Sequence, residues 1–136
     1  MTTKAERDHM GRPKFRYIRS EPLMAAYRTI PCQNCGKDDG TVCGAHSNWA
    51  VHGHGRAIKA SDEFCASLCS DCHVPILDQG AHLLRFERQM MWWRAHVRSV
   101  VLLRARGAWP LSVNPPDVVQ FPFGEDETAD TIELLS

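Results

Sequence analysis

Two Cys-x-x-Cys pairs, Cys32/Cys35 and Cys69/Cys72, stand at either end of the stretch CQNCGKDDGTVCGAHSNWAVHGHGRAIKASDEFCASLCSDCHVPILD. Each pair can present two thiolates from one tight turn, and two such turns complete the tetrahedron that zinc prefers. Six cysteines without a recognisable export signal favour metal binding over a disulfide framework. The competing reading is a reduced, metal-free set of buried thiols. Cys43 and Cys65 fall outside the paired spacing and read as small buried hydrophobes, with Cys65 as a substitute ligand in the alternative. Two histidines stand out, His46 after a short strand-like run and His73 directly behind Cys72. An imidazole titrates near neutral pH and can take a proton from an attacking water, although a lone histidine is more often structural. Arg56 and Lys59 sit in the glycine-bearing loop between them, as phosphate contacts or as ordinary surface charge.

The order Cys-x-x-Cys, Ala-His, glycine-bearing loop, Leu-Cys-x-x-Cys-His resembles the HNH (ββα-metal) endonuclease superfamily. More narrowly it resembles small phage and prophage nuclease-like proteins, through PCQNCG, AHSN, HGHGRAIKASDEF and LCSDCH…LDQG, over roughly residues 20 to 80. The resemblance implies an α+β, zinc-stapled ββα-metal (HNH/treble-clef-like) domain acting on DNA in phage replication or recombination, in the cytoplasm of a bacterial host. It assigns structural zinc to the four paired cysteines, the role of general base to His46, and a catalytic Mg²⁺ or Mn²⁺ to His73. Two positions depart from the pattern. Ala45 stands where many such enzymes carry a metal ligand, so a second ligand must come from water or from His52, His54 or Asp78. Asp62 replaces the middle asparagine, as a loop-bracing acceptor or a further metal ligand. The alternative function is a catalytically inactive, zinc-stabilised module that binds nucleic acid or a replication or recombination partner. The barest alternative is a prophage remnant that folds on zinc and does nothing more.

The elements that must position these residues are short. Ser20-Glu21-Pro22 reads as a helix start, and Pro31 must end that helix near Ile30. Thr41-Val42-Cys43 begins a strand that delivers His46, residues 48–61 form a loop, and residues 64–68 form a second strand entering the second cysteine pair. A helix follows that pair, with Pro75 in its first turn. A long helix is expected over about residues 81–106, closed by Gly107 and Pro110. Leu83, Phe86, Met90, Trp93, Val97, Val100 and Val101 share one arc of it and read as packed core or a partner surface.

The chain of 136 residues fits one small domain, whose limited core makes a metal staple useful. The expected organisation is a basic arm at 1–19, the nuclease-like domain at 20–106, and an acidic, proline-containing tail at 107–136. Six of the 16 acidic residues follow Arg106 and none of the 16 basic ones do, so residues 1–106 carry a net charge of +6. A basic body suits a polyanion such as DNA, and an acidic tail should compete with it. The apolar runs are too short to span a membrane.

Overall fold

The computed structural model describes residues 15–123 as a small α+β fold. Its elements run α1 (Glu21–Tyr27), β1 (Cys43–His46), a short 3-10 turn (Ala50–His52), β2 (Cys65–Leu68), a wide-turned π-helix (Cys72–Asp78) and α2 (Arg85–Ala105). β1 and β2 form a two-stranded antiparallel sheet with Cys43 opposite Leu68 and His46 opposite Cys65. No helix among the described residues is long and apolar enough to cross a membrane.

α1 begins where the sequence places it. Ser20 Oγ accepts the Leu23 amide at 3.2 Å, and Pro22 lies in the first turn, where its missing donor costs nothing. The helix buries Leu23 and Tyr27 completely, each worth about 2 kcal/mol of apolar burial. It lies so close to β1 that a Cβ on Gly44 would sit 2.7 Å from the Tyr27 ring. Only glycine fits there. By strand alternation Gly44 and His46 face α1, and Cys43 and Ala45 face the other way.

α2 starts later than the periodicity predicts. Gly80 and His82 both adopt positive φ, +70° and +52°, which ends the preceding helix and delays the next to Arg85. Its buried face is also rotated about a quarter turn from the apolar stripe: Gln89, Trp92, His96, Ser99 and Leu103 are inside, and Val101 is 54% exposed. The reason is the open edge of β2. Ser99 Oγ accepts the Ser67 amide at 2.9 Å, and His96 Nδ1 donates to the Cys65 carbonyl at 2.7 Å. Side chains of α2 thus satisfy strand groups that a third strand would otherwise pair. Apolar periodicity cannot register a polar contact of this kind.

Both flanking segments are better anchored than an arm and a tail would be. Within the first, Tyr17 donates to the Gly53 carbonyl at 2.7 Å, and Arg19 donates to the carbonyls of Lys59 and Ala60. Residues 1–14 lie outside the described region. After Gly107, Trp109 and Val113 are buried against α1 and α2, and Phe121 and Phe123 pack on Trp93 and Trp49. The acidic run from Glu125 onward also lies outside the described residues, so its expected competition with DNA concerns a part not described.

Candidate metal centre and strand-edge site

The first cysteine pair is shaped by a turn in which Gly36 donates to the Cys32 carbonyl at 2.9 Å. Gly36 has φ +82°, a conformation that favours glycine. The Cys35 amide points at Cys32 Sγ at 3.5 Å, and the Gln33 amide ties the turn to the Ser67 carbonyl of β2 at 2.8 Å. The second pair straddles the end of β2 and the start of the π-helix, with the His73 amide on the Cys69 carbonyl. The four sulfurs gather within 4.8 Å of one another, and Cys35 and Cys69 are 3.6 Å apart. Two thiolates on one tetrahedral zinc, at about 2.3 Å each, lie about 3.8 Å apart, so the donor set and its spacing fit that ion. Burial raises the Cys32 thiol, but the backbone amides of Cys35, Cys69 and Asn34 outweigh it and lower it to about 7. Burial first, then the neighbouring Cys35 and Cys69 thiols, push Cys72 up to about 12. A divalent cation removes that mutual opposition among thiolates. Cys65, the substitute ligand of the alternative reading, is wholly buried in the apolar cluster around Tyr27.

His46 meets Asp62 rather than His73. Its Nε2 lies 2.8 Å from Asp62 Oδ1. Asp62 is braced in turn, accepting the Ser20 amide at 2.7 Å and Arg19 Nη1 at 3.3 Å. Tyr27 Oη holds the Asp62 carbonyl at 2.9 Å. This geometry is that of the loop-bracing acceptor. An ionised carboxylate only accepts, so His46 Nε2 carries the proton, and Nδ1 of the neutral ring is the acceptor. Burial, aided by Lys59 and Arg19, lowers the His46 pKa against the opposing pull of Asp62. That shift favours the neutral ring.

His73 stands on the opposite flank of β1. Its Nδ1 is 3.5 Å from Cys43 Sγ, and its Nε2 is 3.3 Å from Asp78 Oδ2. Asn48 donates to the other Asp78 oxygen at 2.9 Å. The five-residue spacing of His73 and Asp78, poor for an ordinary α-helix, becomes a contact because the turns here are wide, with the Gln79 amide bonded to the Val74 carbonyl. Among the described residues only the four paired cysteines gather as a metal-holding group, and Cys43, His73 and Asp78 do not form a second. Ala45 offers no ligand: it is fully buried, and its carbonyl accepts Trp92 Nε1 at 3.0 Å.

His52 is corrected from candidate ligand to core residue. It is 3% exposed, stacks on Phe64 with ring centroids 4.4 Å apart, and bonds Ser47 Oγ at 2.7 Å. Burial, with His96 nearby, lowers its pKa to about 3. His54 is exposed in the loop. Lys59, but not Arg56, lines a groove of about 650 Å³ that also includes Arg19, Arg28, Met24 and Asp62. Arg28 lies outside every sequence motif and enters the site only because α1 packs on β1. No family model, curated protein or solved structure matches the chain.

Proposed function

We propose that the chain is a metal-dependent endonuclease of the HNH type, hydrolysing DNA phosphodiesters on a zinc-stapled ββα-metal scaffold. The observation that carries this reading is the His46–Asp62 pair, 2.8 Å apart, whose Asp62 lines a groove together with Arg19, Arg28, Lys59 and Glu21. β1 has no strand partner on its outer edge among the described residues. A phosphodiester laid across that edge meets His46 on one flank and His73 on the other.

In this reading Arg19, Arg28 and Lys59 attract and orient the phosphate. His46 Nδ1 takes the proton of the attacking water, and Asp62 fixes the tautomer and stabilises the imidazolium that forms. The open Nδ1 and the lowered pKa both suit that task. A divalent ion held at His73, Mg²⁺ or Mn²⁺ in the family pattern, supplies positive charge to the phosphate and leaving oxygens when bound. The four-cysteine centre holds the first cysteine turn, β2 and the π-helix together and takes no part in proton transfer.

A second reading has a specific observation behind it. Ala45 supplies no ligand, and Asp62 also braces Ser20 and Arg19, as a purely structural ion pair would. That favours a non-catalytic module binding nucleic acid or a replication or recombination partner. Incubation of supercoiled DNA with Mg²⁺, Mn²⁺ or no added metal separates the two. The nuclease reading expects metal-stimulated nicking that falls by 10²–10⁴ in His46→Ala, on the order of loss of a general base, with zinc content and DNA binding retained. Intact DNA in every arm, with folded, DNA-binding wild-type protein, moves the assignment to the binding module.

A further inference from the structure

α2 carries five arginines and a single acidic side chain, Glu87. Beside it lies an open groove of about 550 Å³, whose lining mixes Ile76, Phe86, Met90 and Met91 with Arg94 and Arg98. The four apolar side chains are half-buried, and both arginines are exposed. Arg98 donates to the Gln33 carbonyl at 3.1 Å, a neutral partner. Neither arginine pairs with a carboxylate among the described residues. Glu87 also lines the groove, but its carboxylate accepts the Leu84 amide at 2.8 Å. The lining is therefore apolar with a surplus of positive charge, and it suits an acidic segment that also carries apolar side chains.

The chain delivers such a segment to the rim of this groove. The Phe121 ring lies edge-on to Phe86, with centroids 6.3 Å apart, and to Trp93 at 6.2 Å. Phe123 packs on Phe121 at 5.0 Å, so the described chain ends close to Phe86, which itself lines the groove. Residues 124–136 read GEDETADTIELLS. They hold the carboxylates of Glu125, Asp126, Glu127, Asp130 and Glu133, the apolar Ile132, Leu134 and Leu135, and no Lys or Arg. At about 3.3 Å per residue this segment can reach about 40 Å, against about 18 Å of helix between Phe86 and Arg98. Tethering holds it at an effective concentration on the order of millimolar, so contacts too weak for a free peptide suffice.

We propose that the groove beside α2 is the docking site of the chain's own residues 124–136. Their carboxylates meet Arg94 and Arg98, and Ile132, Leu134 and Leu135 cover the side chains of Phe86, Met90 and Met91. This groove shares no lining residue with the one that contains Asp62. A docked tail therefore leaves the strand edge open, in place of the competition with DNA that charge alone suggests. The assignment goes beyond the nuclease reading and holds whether or not DNA is cut.

The test follows cleavage after Glu133 by a glutamate-specific protease, in the full chain and in a free peptide of residues 124–136. Where opening is fast, cleavage tracks the fraction of open segment. The full chain is expected to be cut about tenfold more slowly than the peptide, as for a segment docked about nine-tenths of the time. High salt should reduce that protection. Arg94→Glu should bring the rate to within about twofold of the peptide. Leu134→Ser combined with Leu135→Ser should do the same against a peptide of its own sequence. This tail variant leaves every described residue intact, so it answers even where Arg94→Glu fails to fold. Cleavage of the wild type at the peptide's rate, or protection that survives in the tail variant, would overturn the proposal. Protection that grows with protein concentration would give the groove to the tail of a second copy and overturn docking within one chain.

Discussion

The four-cysteine centre and the strand edge of β1 solve opposite problems with similar residues. In the first, four identical side chains converge to within 4.8 Å, three of them buried. In the second, two histidines stand on opposite flanks of one strand, each backed by its own carboxylate, Asp62 at 2.8 Å and Asp78 at 3.3 Å. A closed set of thiolates suits an ion that holds segments together, because nothing is left over for substrate. The imidazoles keep part of their surface open, and Arg19 and Lys59 lie near His46. Under the proposed function the contrast is one of stability in one region and chemistry in the other, and it can be broken at either end.

The largest effect is expected from Cys69→Ser. It removes a ligand from the tie between β2, the π-helix and the first cysteine turn, and structural zinc sites contribute about 10 kcal/mol or more to folding at neutral pH. The variant should lose zinc by elemental analysis and lose its cooperative thermal transition. Folded, zinc-free protein would show that the apolar clusters suffice and would erase the contrast.

Next comes acid lability seated in the core rather than in either site. Burial lowers His96 to about 4, its Nε2 has no partner, and Trp92 stacks on its ring at 4.7 Å. His52, at about 3, lies in the same aromatic cluster. Both folded values are below the unfolded value of about 6.5, so the unfolded chain binds protons first. The stability these neutral rings contribute is complete above about pH 6.5 and is lost as pH falls toward 4. Between pH 6.5 and 5 the loss should be about 2 kcal/mol per histidine, read from urea unfolding with zinc in excess. His96→Phe should flatten that slope. An unchanged slope would place acid sensitivity in the thiolates alone.

The smallest effect sharpens the strand-edge half. Lys59→Ala removes one exposed cation from the groove lined by Asp62 and should weaken DNA binding modestly, lowering the salt slope by about one. Arg56→Ala, outside that groove, should change it less. Equal effects would mean that the groove is not where DNA lies.

Much of this was legible in advance for a definite reason. Cys32/Cys35 and Cys69/Cys72 are each paired by a local turn, and the tetrahedral preference of zinc predicts that the two pairs converge. The start of α1 is equally local, since Ser20 and Pro22 act within one helical turn. The buried face of α2 was not legible, because Ser99 and His96 are chosen by the edge of β2 and not by hydropathy. The contacts of the flanking segments are not legible for a related reason: Tyr17, Arg19, Trp109 and Phe123 find partners far along the chain.

By itself the sequence determined the two cysteine pairs, the short strands around them and the order of the helices, because turns and caps act between near neighbours, whereas Cys35 and Cys69 meet only across the fold. Only the tertiary structure decided what each histidine meets. Strand alternation sends His46 toward α1 and Cys43 away from it, the loop return carries Asp62 to His46, and the wide turns of the π-helix bring Asp78 behind His73. His52, indistinguishable from a ligand in the sequence, became a core residue because Phe64 and Trp92 close around it. An imidazole can serve as base, ligand or packing, and which it becomes depends on neighbours that the chain brings together only by folding.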